Sequence, residues 1–230
     1  MSIIASIILK DRILQLSDSR VMSEISLVTN LTKPALKYEP VFENDSAKKL
    51  FQLKNNVGLA WCGIQEFSGL TMDNALDNFE KTVDSNLPPA QLADKLRDYL
   101  ADYWAGSPNG TFCFHLSGYY RGFPYNLIRF NPHPPADLIP QLYAPTQPYT
   151  LRIDGASDEE IQDALKDIRA PLFERIGPVE VLGFAVDMVF RVIDHVDCCG
   201  GDVQVQIILP DRIVDFKATR NSVLPKVLHA

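Results

Sequence analysis

The first twenty residues constrain the fold most strongly, because they predict a sheet that begins at the front of the chain. Residues 2–9 and 12–17 are two apolar segments rich in β-branched side chains, and Lys10 and Asp11 separate them. This pattern is typical of a β-hairpin. A terminus held in a sheet is fixed rather than frayed. The sequence therefore predicts that the start of the first strand lies beside Asp18, at the end of the second.

The second residue gives this hairpin a chemical interest. Initiator methionine is commonly removed when a small residue follows, and removal of Met1 would leave an α-amine and a hydroxyl on Ser2. An α-amine titrates near pH 8, so about a tenth to a quarter of it is unprotonated at neutral pH and can accept the hydroxyl proton. Ser2 is therefore a candidate nucleophile, provided that it is accessible and close to Asp18. The alternative is an ordinary Met-Ser start and an ordinary polar strand end.

The hairpin resembles the front of the proteasome β-subunit and its bacterial homologues, which are N-terminal nucleophile (Ntn) hydrolases. The shared features are a small hydroxyl residue before an apolar strand, a short turn, and Ser17-Asp18-Ser19-Arg20 at the end of the return strand. The interval from Ser2 to Asp18 equals the family's interval from nucleophile to catalytic aspartate. Residues 116–132 are similar to a later hairpin of the family, which is a match of scaffold and not of chemistry.

The resemblance implies a catalytic lysine near the next strand, whose ammonium would lower the effective pKa of the nucleophile. The count along the chain points to Lys33. The context points to Lys49, because Lys-Lys-Leu-Phe-Gln-Leu is similar to the family's strand opening. We favour Lys49 and keep Lys33 as the alternative. Either lysine is also compatible with an ordinary solvated charge.

The resemblance also implies an oxyanion hole and a substrate pocket. Gly63 ends a predicted strand that opens a helix, and a glycine N–H there can stabilise a tetrahedral oxyanion. Gly63 is equally compatible with a tight turn. Trp61 and Val21 occupy positions that contact substrate in the family. A ring as large as Trp61 would reduce or block the pocket, and the alternative is that it packs beneath the helix.

Two later segments match the family less closely. The family's Asp-x-x-Ser-Gly-Gly turn is similar to the residues after the last predicted helix, with Cys199 at the serine position and Asp197, or else Asp194, near the aspartate position. We take Asp197 as the candidate. The family's Gly-Ser-Gly is displaced here to Gly155-Ala-Ser157, where the serine is also a plausible helix N-cap.

Length and composition indicate one large globular domain over residues 1–230. The chain is 46% hydrophobic and 22% charged, and its net charge of −7 argues against a nucleic-acid surface. Neither a signal peptide nor a membrane span is evident, so we expect a cytoplasmic protein without membrane contact. The four cysteines lack zinc-site spacing and are expected to be reduced thiols. We expect no metal and no cofactor.

The order of predicted elements indicates an α+β fold. The predicted hairpins are followed by helices and closing strands, with strands over 49–53, 57–61, 111–120 and 124–131, and helices after Gly63 and over 91–104, 159–173 and 179–196. The resemblance specifies the four-layer αββα sandwich of the Ntn class, with probable insertions near residues 21–45, expected to be irregular, and 132–150, expected to be a long loop.

Two functions are open at this point. The first is a proteasome-like peptidase or amidohydrolase that acts on a peptide or protein substrate, with Ser2 as nucleophile, in a homo-oligomeric ring. The second is a catalytically inactive structural or regulatory subunit. The interval from Ser2 to Asp18 favours the enzyme. The displaced lysine, the change at Gly155 to Ser157, Cys199 and Trp61 favour the inactive subunit.

Overall fold

A computed structural model describes residues 2–28, 36–63, 66–67, 70–84, 86–104, 112–130, 142–143, 149–155 and 158–220. The strands are β1 (Ile4–Ile8), β2 (Ile13–Ser17), β3 (Val21–Val28), β4 (Leu36–Asn44), β5 (Leu50–Leu53), β6 (Val57–Gly63), β7 (Glu66–Phe67), β8 (Leu70–Thr71), β9 (Phe112–Tyr120), β10 (Phe123–Phe130), β11 (Leu142–Tyr143), β12 (Thr150–Asp154), β13 (Val203–Ile208) and β14 (Ile213–Ala218). The helices are α1 (Met72–Thr82), α2 (Pro89–Trp104), α3 (Asp158–Leu165) and α4 (Pro178–His195), and a short 3₁₀ turn spans Phe173–Arg175.

The described strands form two five-stranded antiparallel sheets and two small hairpins. The first sheet has the order β12-β1-β2-β13-β14, and the second has the order β11-β10-β9-β6-β5. The predicted N-terminal hairpin is confirmed, with Ile4 opposite Ser17. Both of its strands are buried throughout, because β1 lies between β2 and β12, and β2 lies between β1 and β13.

The predicted hairpin over 49–61 is also confirmed. Its turn residues, Asn55 and Asn56, both adopt positive φ, at 60° and 56°. Asparagine tolerates this region better than most residues, and two consecutive positive φ values are typical of the tightest hairpin turns.

Each of the two large sheets has one face covered by helices, and an apolar cluster lies between each sheet and its helices. Alternate residues of β1, β2 and β13 pack against α3 and α4, with Leu182 and Val189 among the buried helix residues. Alternate residues of β6 and β9 pack against α1 and α2, including Leu96 and Leu100. The α+β class predicted from the sequence is confirmed by these helices and antiparallel sheets.

Polar side chains join the two sheets across their other faces. Ser6 of β1 hydrogen-bonds His115 of β9 at 2.8 Å, and Gln15 of β2 donates to Ser117 of β9 at 2.9 Å. Gln206 of β13 donates to the Phe51 carbonyl of β5 at 3.3 Å. A smaller apolar group that includes Ile4, Ala60, Cys62, Cys113 and Ile128 lies in the same region.

The prediction that residues 21–45 lack regular structure is wrong. Strands β3 and β4 pair along their length, with a register irregularity between Val21 and Met22. Pro40 lies opposite Glu24 in this hairpin. Proline is tolerated because, in the described part of the chain, the two-stranded ribbon has no third strand that needs its missing N–H.

Two helix boundaries also differ from the predictions. The helix expected directly after Gly63 begins at Met72, after the β7–β8 hairpin, and Thr71 caps it by accepting the Asn74 N–H. The helix expected over 159–173 ends at Leu165. Pro171 opposes a helix that continues through residue 171, because it lacks an N–H and disfavours a helical residue before it, but α3 already ends before the residues that this proline affects.

The remaining helix predictions agree closely. The helix expected over 91–104 is α2, which starts slightly earlier at Pro89, and the helix expected over 179–196 is α4. The strands expected over 111–120 and 124–131 are β9 and β10. Most of the predicted loop over 132–150 lies outside the described residues, apart from β11 and the start of β12.

Candidate functional site

The carboxylate of Asp18 is the centre of the site. Asp18 follows β2 directly, so the antiparallel pairing brings it to the start of β1. Its Oδ1 accepts the Ile3 N–H at 3.0 Å and Lys49 Nζ at 2.8 Å. Its Oδ2 accepts the N–H groups of Gly200 at 3.1 Å and Arg20 at 3.2 Å. Three backbone donors and one cation thus converge on a carboxylate that is completely buried.

Lys49 supplies the cation from the second sheet. Its ammonium also donates to the Arg20 carbonyl at 2.7 Å, and the whole side chain is buried. The backbone N–H of Lys49 donates to Gln204 Oε1 at 3.0 Å, and Gln204 in turn donates to the Ala47 carbonyl. Gln204 therefore fixes the segment that carries Lys49 to the start of β13, beside Asp18.

A fully buried ion pair is unusual enough to need a reason. Removing two charges from water costs several kcal/mol per ion, and apolar residues of the same volume often give equal or greater stability. Here the two charges lie where strands of both sheets end next to the second residue of the chain. Buried charges in such a position are more common in functional sites than in ordinary cores.

Ser2 lies next to this ion pair, but its side chain is only 4% exposed. The adjacent residue, Ile3, is the one that hydrogen-bonds both Asp18 Oδ1 and, through its carbonyl, the Asp18 N–H at 3.3 Å. The carbonyl of Ser2 faces Gly155, where an added Cβ would overlap it. Ser2 is thus one residue from a direct contact with Asp18, and it is buried in the chain that includes Met1.

Contacts of Ser19 and Arg20 with Asp45 surround the turn after Asp18. The Ser19 hydroxyl donates to the Asp45 carbonyl at 2.8 Å, and the Arg20 guanidinium binds the Asp45 carboxylate at 2.8 Å. Arg20 also donates to the Asp197 carbonyl at 3.0 Å. Gly200 lies close beside it, and an added Cβ there would displace the Arg20 guanidinium. These contacts hold the backbone N–H groups that Asp18 accepts.

The two adjacent cysteines lie at the same place. Cys198 and Cys199 are free thiols in the turn between α4 and β13, and both are buried. The hydrogen bond from Cys199 lowers the pKa of Cys198 to about 7. The same hydrogen bond, burial and the neighbouring Asp18 carboxylate raise the pKa of Cys199. Cys199 therefore stays protonated beside Asp18, while Cys198 ionises near neutral pH.

Gly63 lies at the same end of the sheets as Lys49. The Trp61 N–H donates to the Lys49 carbonyl at 2.9 Å, and Gly63 follows two residues later at the end of β6, with φ of 126°. Few side chains tolerate that backbone conformation. The helix that was predicted to start at this glycine begins instead at Met72.

The structure places Trp61 in the core and not beside the ion pair. Its indole is completely buried, and its ring stacks on Phe112 and Phe114, with centroid separations of 4.8 Å and 6.4 Å. It faces α1 and α2 because β6 alternates, so that Ala60 and Cys62 face the other sheet instead. Trp61 therefore packs beneath the helices, which is the alternative given for it above, and its ring is not exposed to a pocket.

The other predicted residues are placed unevenly. Asp197 has an exposed side chain, and it contacts Arg20 through its carbonyl. Its carboxylate is exposed, whereas the buried side chains of this turn are those of Cys198 and Cys199. Its alternative, Asp194, pairs with Arg220. Val21 begins β3, and no more is described of it. Lys33 and Ser157 lie outside the described residues, as does Met1.

Sequence reasoning missed Asp45, Gly200 and Gln204. Each reaches the site across a long interval in the chain, so no local spacing marks it. Gly200 was within a matched Gly-Gly turn, and that glycine pair was the one available signal.

A scan against protein-family models finds no match to the chain, and a search of curated proteins finds no relative. Among the described residues, no helix is long and apolar enough to cross a membrane.

Proposed function

We propose that the protein is an Ntn-type peptidase or amidohydrolase whose nucleophile is Ser2 after removal of Met1. The observation that carries the proposal is the buried Asp18–Lys49 ion pair, held at 2.8 Å one residue from Ser2 in the fold. The pair has a high desolvation cost, and it stands where a free α-amine would need both a fixed anion and a cation.

The proposed reaction divides its work among few groups. The neutral α-amine of Ser2 accepts the hydroxyl proton, and Oγ attacks the amide carbonyl of the substrate. The Gly63 N–H stabilises the oxyanion, and the amine then returns the proton to the leaving amine. Water hydrolyses the ester on Ser2. Asp18 and Lys49 act as positioning residues: the ammonium favours the deprotonated nucleophile, and the carboxylate holds the ammonium and the start of β1.

We further propose the four-layer αββα arrangement of the Ntn class and a homo-oligomeric ring that acts on a peptide or protein substrate. Support for the layers comes from α3 and α4 packing on the first sheet, and α1 and α2 on the second. Polar contacts join the sheets between them. The ring and the substrate class rest on the resemblance of the N-terminal hairpin alone.

A catalytically inactive subunit is the second candidate, and two observations favour it. Ser2 is 4% exposed, and the residue beside Asp18 in the final turn is the protonated thiol Cys199. A thiol is a weaker hydrogen-bonding partner than the serine hydroxyl that the family has there. In this reading the Asp18–Lys49 pair would fix the fold at the sheet ends without supporting a reaction.

The test starts from two forms of the same chain. One form is expressed from its natural start, and its intact mass shows whether Met1 is removed. The other is released from a cleavable fusion so that it begins at Ser2. Both are incubated with a β-lactone and with a peptide epoxyketone, and adducts are located by peptide mass spectrometry. We expect one covalent adduct on Ser2 in the form that begins there, and none in a form that retains Met1.

The control is Ser2→Ala in the form released from the fusion, which removes one hydroxyl and leaves the amine. We expect it to fold with an unchanged melting temperature and to give no adduct. Retention of Met1 in protein isolated from its own cell, or equal labelling of the Ser2→Ala variant, would establish the inactive subunit instead.

A further inference from the structure

A second buried cluster lies between the sheets, and it does not include Ser2, Asp18 or Lys49. It consists of Cys113 and His115 on β9 and Asp154 at the end of β12. One ligand atom from each, a sulfur, a ring nitrogen and a carboxylate oxygen, lies within 4.8 Å of the others. Nε2 of His115 is 2.8 Å from Asp154 Oδ2, and His115 is completely buried. Sulfur, imidazole and carboxylate are the three donors that zinc takes in proteins.

A fourth donor stands beside these three. Cys62 on β6 lies directly opposite Cys113 on β9, so their side chains share the face between the sheets. The Cys62 Sγ lies 3.5 Å from the Cys113 carbonyl oxygen. Burial, and next the hydrogen bond with the Cys62 thiol, raise the pKa of Cys113. The two cysteines are therefore neighbours on this face, and Cys62 is the candidate for a fourth ligand beside the group of Cys113, His115 and Asp154.

The surroundings of the imidazole fit a ligand. The Nδ1 atom of His115 is 2.8 Å from Ser6 Oγ, which leaves Nε2 directed at Asp154. Metal-bound histidines usually engage their second ring nitrogen with a hydrogen-bonding partner that fixes the ring orientation. Ser6 would have that role, because it is buried and lies on the neighbouring sheet.

The charges also balance. A divalent ion with one thiolate and one carboxylate is neutral, and a second thiolate adds one negative charge. The Arg152 guanidinium, with Nε 3.7 Å from Asp154 Oδ2, offsets that charge. Zinc ligand atoms lie roughly 3 to 4 Å apart for bond lengths of about 2.0–2.3 Å. The ligand atoms of Cys113, His115 and Asp154, all within 4.8 Å of one another, therefore close onto an ion by shifts of about 1 Å.

We propose that Cys62, Cys113, His115 and Asp154 form a structural zinc site that joins the two sheets. Its four ligands come from β6, β9 and β12, so the ion would link the second sheet to the edge strand of the first. The alternative, a Ser6-His115-Asp154 catalytic triad, is disfavoured because Ser6 and His115 are both inaccessible to substrate. Four protein donors in a closed setting are typical of zinc in a structural role. The proposal does not depend on the function of Ser2.

The test uses the full chain without an affinity tag. After gel filtration, the zinc content is measured by inductively coupled plasma mass spectrometry. The metal-free protein is then titrated with Co²⁺, whose absorption spectrum reports thiolate ligands and tetrahedral geometry. We expect one zinc per chain, a thiolate-to-cobalt charge-transfer band that saturates at one equivalent, and a higher melting temperature with zinc than without it. Substoichiometric zinc and no charge-transfer band in the wild-type chain would overturn the proposal.

Variants locate the ion. Cys113→Ser is expected to lose stoichiometric zinc, and Cys62→Ser is expected to weaken the charge-transfer band. Ser6→Ala removes the hydrogen-bonding partner that orients the His115 ring, so it is expected to lower zinc affinity by about 10- to 100-fold. Cys198→Ala is the matched control, because that buried thiol lies outside the cluster, and it is expected to bind zinc normally. The assignment is overturned if Cys198→Ala loses zinc while Cys62→Ser and Ser6→Ala keep it at full affinity. This comparison still decides the question if Cys113→Ser does not fold.

Discussion

Asp18 accepts more hydrogen bonds than the end of an ordinary strand requires. Each of its two oxygens accepts two donors, and the Lys49 ammonium is the only charged one among the four. The three backbone donors remain if the lysine is replaced, so they would still stabilise the carboxylate. They would not neutralise its charge, and that difference makes Lys49 the residue whose removal is most informative.

We expect Lys49→Met to destabilise the chain by about 3–5 kcal/mol, since it leaves a buried carboxylate without its cation. Asp18→Asn leaves a buried ammonium with the Arg20 carbonyl and is expected to cost a similar amount. The double variant removes both charges. Its loss of unfolding free energy should therefore be smaller than the sum of the losses of the two single variants. Urea unfolding of the four proteins gives the coupling free energy of this pair.

The same cycle separates the two proposed functions. Strictly additive losses would contradict a coupled ion pair. If the pair couples strongly and Lys49→Met in the Ser2-starting form keeps its full rate of adduct formation, then the pair is structural and the inactive-subunit reading gains. A reduced rate in Asp18→Asn or Lys49→Met at temperatures where each remains folded supports the positioning roles that we propose.

Cys198 is only 8% exposed, so we expect it to react slowly with a small alkylating agent such as iodoacetamide, and to do so as its thiolate near neutral pH. The thiolate is the reactive form, so the labelling rate rises with pH through the pKa of the thiol. Because the hydrogen bond from Cys199 lowers that pKa to about 7, the midpoint should fall near pH 7. Cys199→Ala should move the midpoint upward, toward the ordinary thiol value. Rates for each cysteine, measured by peptide mass spectrometry at several pH values, check this expectation, and a midpoint unmoved by Cys199→Ala contradicts it.

Part of this site was available from the sequence alone. The interval from Ser2 to Asp18 sets a hairpin register, and register decides which residues are neighbours. The sequence context favoured Lys49, which pairs with Asp18, whereas Lys33, which the count along the chain indicated, lies outside the described residues. Gln204 and Gly200 could not be found in this way, because a contact between distant segments leaves no local pattern.

Among the elements, the turn at Gly155 lies against the start of the chain. Its φ is 123°, and an added Cβ would overlap the Ser2 carbonyl oxygen. The first strand therefore reaches its position only because the residue that follows β12 has no side chain. This contact ties the end of one edge strand to the residue that we propose as the nucleophile.

We expect Gly155→Ala to destabilise the chain more than Gly122→Ala does. Gly122 also has positive φ, at 82°, but no atom lies within 4 Å of an added Cβ there. The Gly122 variant therefore measures the backbone cost alone, about 1 kcal/mol, and the Gly155 variant adds the steric overlap. Thermal unfolding of the two variants gives the difference. Equal losses would show that Ser2 is free to move away from Gly155.

The helices show where sequence patterns fail at this scale. The apolar spacing that predicted a helix from Leu70 continues correctly through Ala75 and Phe79, but Thr71 caps the helix and makes Met72 its first residue. The helix predicted over 159–173 is shorter than its prediction and ends at Leu165, before Pro171. Both errors concern ends, which depend on capping and on proline more than on apolar periodicity.

Across the whole molecule, the two sheets are joined by side-chain hydrogen bonds as well as by apolar contacts. Ser6 and Gln15 connect β1 and β2 to β9, while Gln206 and Gln204 connect β13 to the segment of β5. A buried polar group loses most when its partner leaves, since it then remains unsatisfied. Neither sheet can therefore lose its structure without exposing unpaired groups on the other.

This coupling predicts a single cooperative unfolding transition. Leu182 lies in the cluster beneath α4 and Leu96 in the cluster beneath α2, and both are completely buried. We expect Leu182→Ala and Leu96→Ala each to lower the free energy of unfolding by about 2–5 kcal/mol. Because the sheets unfold together, both variants should shift the same urea transition at an unchanged slope, followed in parallel by tryptophan fluorescence and by far-ultraviolet circular dichroism. If Leu182→Ala instead splits the transition, so that the circular dichroism signal is lost before the fluorescence of buried Trp61 changes, the two sheets are separate folding units and the polar contacts between them contribute little.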